Sequence, residues 1–201
     1  MQFDDEYFFI RKNDSNPRLP SLQPDTSTAE RHYWYQPQPR GSSPLVFINA
    51  WRSEFKEQGM EEELADILFE GVNFIVREPI RRALLKLEVP SLHMHPAVYI
   101  DDKDTPHEDY WYVAFSDMFD CWDRDKSTYL PEPVDIGGKR MYEMLTYSLN
   151  ADLLGRTLLQ NRLLFQIDQT TTDMIVCHRS VAEIFRQDGR SGARLQCIKD
   201  Y

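Results

Sequence analysis

The amino-acid sequence predicts an α+β fold: a mixed or antiparallel sheet with short helices, containing two related strand–helix–strand units. Three observations lead there. Short runs rich in aromatic and β-branched residues recur along the chain, among them YFFI at 7–10, LVFIN at 45–49 and YWYVAF at 110–115. Only brief stretches with helical spacing lie between them. The stretch Asn73-Phe74-Ile75-Val76-Arg77-Glu78 is echoed at Asp173-Met174-Ile175-Val176-Cys177-His178, and a helical segment and a further strand follow each.

Taken in order, residues 6–12 read as an opening strand. Pro17, Pro20, Pro24, Pro37, Pro39 and Pro44 then deny regular pairing, giving an irregular arm that His32, Tyr33, Trp34 and Tyr35 pin to the body. A strand is expected at 45–49. Met60, Leu64, Ile67 and Leu68 fall at helical spacing, with Glu61, Glu62 and Glu63 opposite, which predicts an amphipathic helix closed by Gly71. Its acids sit near the N-terminus, where the helix dipole favours them.

A strand at 73–76 leads into a helix over 77–88, with Pro79 in its first turn and Ile80, Ala83, Leu84 and Leu87 on one face; Pro90 stops it. Residues 92–100 return as a strand whose Pro96 places it at an edge or a bulge. An acidic hairpin tip at 101–107 joins it to the strongest strand signal, 110–115. Residues 119–123 run into a polar loop. The segment 140–149 fits both periods, and its alternation favours strand. Strand at 163–167, strand at 173–177, helix at 179–187 and strand at 193–198 complete the chain. Residues 1–201 are expected to form a single domain, with 1–59 as N-terminal strand and Pro-rich arm and 60–201 as the α+β body.

The chain is acidic, with a net charge of −10 and a mean hydropathy of −0.57. The charge is concentrated: residues 54–70 carry a net −6 and residues 101–125 a net −7. Such a surface repels phosphate backbones, so no nucleic-acid partner is expected. Such a face can steer a basic partner instead, or serve solubility alone. No apolar run approaches the roughly 18 residues of a membrane span, so no membrane partner is expected. The start Met1-Gln2-Phe3-Asp4-Asp5-Glu6 lacks the basic and apolar regions of a secretory signal, and three unspaced cysteines, Cys121, Cys177 and Cys197, give no disulfide framework. The expectation is a cytoplasmic protein with reduced thiols.

Motifs for catalysis are scarce. The chain has no GxSxG elbow, no GxxxxGK[ST] loop, no HExxH and no GxGxxG. His93 and His95 alternate along a strand and face one side, as metal ligands would, with His107 or an aspartate of 101–104 as a third. Half-buried histidines of this kind are more often packing residues, and no metal and no cofactor are expected. Cys177 and His178 are adjacent on a strand, so they face opposite sides and cannot form a nucleophile–base pair. Asp117, Asp120, Asp123 and Asp125 lack the glycine of a calcium loop. The chain therefore reads as a binding protein and not as an enzyme.

In its C-terminal half the order of several motifs carries a resemblance. They are Asp120-Cys121-Trp122-Asp123 with Lys126-Ser127, then Leu164-Phe165-Gln166-Ile167, Ile175-Val176, and Gly189-Arg190-Ser191-Gly192. Over about residues 67–198 the chain resembles the Imm11-type immunity proteins, encoded beside bacterial polymorphic or secreted toxins. Arg77 stands where that family has a serine before the first helix, and Trp122 where it has a leucine. The resemblance implies a cytoplasmic protein that binds and neutralises a cognate toxin, with no catalytic residues to carry over. The contact surface expected for a basic toxin is acidic with aromatic anchors: Asp101, Asp102, Asp104, Glu108, Asp109, Tyr110, Trp122 and Asp123. The alternatives are a chaperone or adaptor that loads an effector for secretion, and a metal-dependent hydrolase built on His93, His95 and an aspartate. Exposed strands also leave a homodimer open.

Overall fold

The computed structural model describes residues 3–34, 36–186 and 191–201. Its regular elements are β1 (Tyr7–Lys12), β2 (Leu22–Pro24), α1 (Thr26–Ala29), β3 (Leu45–Asn49), α2 (Arg52–Glu57), β4 (Ile67–Glu70), β5 (Asn73–Arg77) and α3 (Glu78–Leu85), followed by β6 (Leu92–Ile100) and β7 (Pro106–Phe115). The second half supplies β8 (Thr128–Tyr129), β9 (Val134–Ile136), β10 (Lys139–Met141), β11 (Met144–Thr146), α4 (Ala151–Arg156), β12 (Leu164–Gln166), β13 (Ile175–His178) and β14 (Ala193–Cys197), with a 3-10 helix at Arg179–Phe185. Mixed and antiparallel sheets with short helices are the architecture read from the sequence.

Six strands form one sheet in the order β2-β3-β6-β7-β5-β4. Only β3 and β6 run parallel; the other neighbours are antiparallel. The sheet curls until its edges meet, where Ser21, just before β2, bridges Phe69 of β4. Alternation then sorts the side chains. Phe47, Leu68, Ile75, Tyr99, Tyr110 and Tyr112 point into the curl, while Ile67, Phe69, Phe74, Val76, Val113 and Phe115 point outward. A second sheet, β12-β13-β1-β14, is wholly antiparallel. One of its faces joins that outward cluster through Ile10, Leu164, Ile175 and Cys177, with Ile80 and Leu84 of α3 and Val181 and Phe185 of the 3-10 helix packed in the same core. Its other face, with Tyr7, Phe9, Phe165 and Val176, covers Trp122, Tyr147, Leu149 and Leu154.

The two strand–helix–strand units exist, and their likeness is deeper than the echo suggests. In the first, β5 and β6 flank β7 and are antiparallel to it; in the second, β13 and β14 flank β1 in the same way. The orders β4-β5-β7-β6 and β12-β13-β1-β14 therefore correspond. In the first unit the middle strand follows β6 directly, whereas in the second it comes from the start of the chain, so one is a circular permutation of the other. The correct alignment is one residue away from the sequence match. Arg77 and His178 are the helix N-caps, and Phe74, Val76, Ile80 and Leu84 occupy the places of Ile175, Cys177, Val181 and Phe185 in the shared core. Matching Ile75 with Ile175 would put one in the curl and the other in the shared core, because a one-residue slip exchanges the faces of a strand.

One expectation is overturned, and two are made specific. Residues 60–70 do not form a helix: 60–65 have no regular structure, and 67–70 form β4. Gly71, with φ of 60°, and Val72 make a two-residue turn that pairs β4 with β5, and this pairing overrides the helical spacing. Of the two places expected for Pro96, the edge is excluded because β6 lies inside the sheet, and an irregularity of the bulge kind is found beside it. Pairing with β3 begins at Ala97, so the missing N–H at Pro96 breaks no ladder, and the register with β7 shifts between Ala97 and Tyr99. The strands expected at 6–12 and 45–49 are present as β1 and β3, interior to the second and first sheets, and Tyr33 is buried with Leu19 and Leu22, which pins the intervening segment to the body. Within 140–149 the strand expectation holds for β10, which ends at Met141, and for β11 at Met144–Thr146, but not for the whole segment, and Leu145 is exposed where the alternation would bury it. The predicted helix end at Gln187 and the residues Gly189 and Arg190 of the quoted motif lie outside the described residues, as does Tyr35 of the aromatic cluster.

Candidate functional site

The hairpin tip between β6 and β7 faces α2 and the segment 60–64 across an open cleft of about 530 Å³. Each wall is built by local hydrogen bonding. Asp101 shapes the tip: its Oδ1 accepts the N–H groups of Lys103 (2.9 Å) and Thr105 (2.8 Å), and its Oδ2 meets His107 Nε2 at 3.0 Å. Burial works to raise the Asp101 carboxyl, but the His107 and backbone hydrogen bonds outweigh it and hold it below the usual aspartate range. Asp102 accepts from Asn49 Nδ2 (3.2 Å), and Arg52 Nη2 donates to its carbonyl (3.0 Å). Asp104, with φ of 61°, pairs with Arg52 at 2.9 Å.

At the floor, Glu62 accepts the Tyr99 hydroxyl and the Asp102 N–H. Its partial burial pushes its carboxyl above the ordinary glutamate value despite those donors. Glu61 faces Lys103 at 3.4 Å. Five carboxylates (Glu61, Glu62, Asp101, Asp102 and Asp104) thus meet three cations (Arg52, Lys56 and Lys103), which leaves the cleft negative. Glu61, Asp104 and Lys103 reach into solvent, with side chains 80%, 77% and 74% exposed.

Trp51 directly precedes the cleft residue Arg52 and has 52% of its surface exposed. It is the N-cap of α2, and its N–H donates to Asn49 Oδ1 (3.0 Å). The same Asn49 side chain donates to Asp102, so one buried amide ties the backbone at the start of α2 to the acidic tip. Sequence reading missed Trp51, Arg52 and the 61–62 wall of the cleft. Trp51 follows an apolar strand with no periodic signal of its own, and the acids at 61–63 were assigned to a helix face.

The expected contact residues divide. Asp101, Asp102 and Asp104 come together in the cleft. Glu108 is exposed, and Asp109 pairs with Arg77 at 3.5 Å further along β7. Tyr110 is wholly buried; its hydroxyl donates to the Ala65 carbonyl (2.6 Å), accepts from Arg77 Nε (3.1 Å), and is pushed up to about 12 by burial. Trp122 is 1% exposed, with Arg124 3.6 Å above its ring and Tyr129 and Tyr142 edge-on to it. Neither ring can anchor a partner, because each fills a core that the alternation of its strand or bridge points inward. Asp123 caps its own turn, accepting from Asp125 N–H (3.1 Å), Lys126 N–H (3.2 Å) and Lys126 Nζ (2.7 Å). Trp122 belongs to the cluster beneath the second sheet and Tyr110 to the curl, so the 101–125 acid run does not form one surface.

His93 and His95 do face one side, where with Tyr112 they line a small cavity of about 110 Å³. His95 meets the Ser43 carbonyl at 2.9 Å. His107 is paired with Tyr99 at the opposite end of β6, whereas His95 is paired with Tyr112, so the proposed third ligand is out of reach. Among the described residues no group of three His, Cys, Asp or Glu side chains is placed to hold a metal ion. Near that cavity Glu70 accepts the Tyr33 hydroxyl at 2.7 Å, and burial raises its carboxyl above the usual range. Cys177 lies in the shared core, its thiol pushed up to about 12 by burial, while His178 packs edge-on against Tyr7 on the other face. No helix among the described residues is long and apolar enough to cross a membrane. The chain matches no protein-family model and no curated protein.

Proposed function

We propose that this chain is a protein-binding module that captures a basic partner in the cleft between α2 and the β6–β7 tip, and that the partner is a toxin which it neutralises by sequestration. The observation that carries the reading is a preorganised negative cleft, one of whose lining residues, Arg52, directly follows an exposed tryptophan, Trp51. Binding energy at interfaces concentrates in aromatic and arginine anchors ringed by polar groups. The carboxylates are positioned before a partner arrives, by Asn49, Arg52 and the turn N–H groups, so little ordering entropy opposes association. The resemblance to Imm11-type immunity proteins supplies the toxin as partner class, and the acidity of the chain suits a toxin with a basic face.

The test is a titration of the partner encoded beside this chain against wild type and a Glu61→Lys/Asp104→Lys variant. Both side chains are over three-quarters exposed, so the fold tolerates the exchange. The variant is expected to bind at least about 10-fold more weakly, with a shallower dependence on salt. Unchanged affinity and salt dependence in the variant would move the contact elsewhere.

A further inference from the structure

A second arrangement, separate from the cleft, aligns three groups in the order that nucleophilic catalysis uses. Ser180 Oγ lies 2.8 Å from His178 Nδ1, and His178 Nε2 lies 3.3 Å from Glu6 Oε2. The strand pairing explains the meeting of residues so far apart: Tyr7 of β1 is opposite His178 of β13, and the Arg179 N–H donates to the Glu6 carbonyl at 2.7 Å. His178 is buried to 7% exposure and fixed by the Tyr7 ring at 5.1 Å, whereas Ser180 faces solvent.

With Glu6 accepting from Nε2–H, Nδ1 is the acceptor that faces Ser180, shared between its hydroxyl at 2.8 Å and its backbone N–H. The Ser180 N–H donates to the same Nδ1 at 3.2 Å, the cap bond of the 3-10 helix, and so fixes Ser180 at the ring. Arg179 adds a cation, its Nη2 being 4.0 Å from the Glu6 oxygen. A nucleophile hydrogen-bonded to a base, with the base oriented by a carboxylate, is the triad logic reached here through the other ring nitrogen.

We propose that Ser180 is a nucleophile, activated by His178 and Glu6, that accepts acyl groups from activated carboxylic esters. Ser180 Oγ bonds to the ester carbonyl carbon as its proton passes to His178 Nδ1. The ester C–O bond then breaks, and the departing alkoxide carries away the electron pair and takes that proton. Glu6 is a positioning residue that stabilises the imidazolium between the two transfers. The sequence hides this set because His178-Arg179-Ser180 is an unremarkable strand–helix junction and Glu6 is 172 positions away.

The experiment is incubation of the full chain with p-nitrophenyl acetate and, separately, with a fluorophosphonate probe, read by nitrophenolate release and by the mass of the tryptic peptide containing Ser180. The expected result is one acyl or phosphonyl group on Ser180, absent from Ser180→Ala. Glu6→Gln should slow the modification at least about 10-fold at unchanged Tm, because Gln keeps a hydrogen-bond acceptor but not the charge. The Glu61→Lys/Asp104→Lys cleft variant should react as wild type, which keeps this proposal distinct from the binding reading. An unmodified Ser180, or equal rates in wild type and Glu6→Gln, overturns it.

Discussion

Gly192 joins the two sheets, and replacing it with alanine tests the account of how they fit. The residue precedes β14, has φ of 73°, and its carbonyl accepts the Asn13 N–H at 3.0 Å. A Cβ built there would lie 2.1 Å from the Ile67 carbonyl oxygen and 2.7 Å from Ala65 Cβ. The first of these is backbone of β4, which is locked to β5 by its ladder and cannot yield as a side-chain tip would. Two costs combine: about 1–2 kcal/mol for a left-handed non-glycine residue, and about 1–3 kcal/mol for overpacking. The expected loss is about 2–5 kcal/mol, or a fall in Tm of roughly 5–15 °C for a chain of this size. Gly71→Ala is the internal control, since Gly71 has φ of 60° but nothing within 4 Å of its Cβ position. It should lose only the backbone cost, about 1–2 kcal/mol. The assay is calorimetric and urea unfolding of both variants beside wild type. If Gly192→Ala is no less stable than Gly71→Ala, the close approach of β14 to β4 is refuted.

Other expectations follow from the same geometry. Phe185→Ala should cost about 3–5 kcal/mol, and a double-mutant cycle with Phe74, whose ring centroid lies 6.2 Å away, should show a coupling of about 0.5–1.5 kcal/mol in urea melts. Glu70 has its carboxyl raised by burial, so its stabilising contribution is full below the unfolded pKa and is lost as pH rises through the folded one; Glu70→Gln should gain stability near about pH 8 and show no gain near about pH 4. Asp101 is held below the ordinary value, so its contribution is present above the unfolded pKa and lost as pH falls; Asp101→Asn should be destabilised near about pH 7 and indistinguishable from wild type near about pH 2 in the same melts. A circular permutant that links residue 201 to residue 1 and opens between Gly137 and Gly138 should fold with wild-type circular dichroism, because β1 pairs with β14 and Tyr201 packs on Phe9.

Much of the fold was legible where local pattern and tertiary need agreed. The run at 110–115 alternates between the curl and the shared core, and its aromatic density announced a strand before any pairing was known. The helix at α3 followed from Pro79 and the spacing of Ile80 and Leu84. Reading failed at 60–70, where Ile67 and Leu68 serve opposite faces of a hairpin strand and mimic helical spacing. The echo was visible, but a single-residue slip was invisible because similar apolar residues occupy both registers. At the candidate site the acids of 101–104 were found, since charge density survives in a linear sequence. Trp51, Asn49 and Arg52 were not, because their roles come from a parallel pairing of β3 with β6 that no local signal encodes. Tyr110 and Trp122 were misplaced for the converse reason: acidic neighbours in sequence say nothing about which way a ring points.

The most direct test of the central claim is a growth assay in which the product of the neighbouring gene is induced with and without this chain. The neighbour alone is expected to arrest growth, and wild type to rescue it and co-purify at equal stoichiometry. A Trp51→Ala/Glu61→Lys/Asp104→Lys variant, folded by circular dichroism, should fail to rescue. Absence of rescue by wild type, or full rescue by the triple variant, would contradict it.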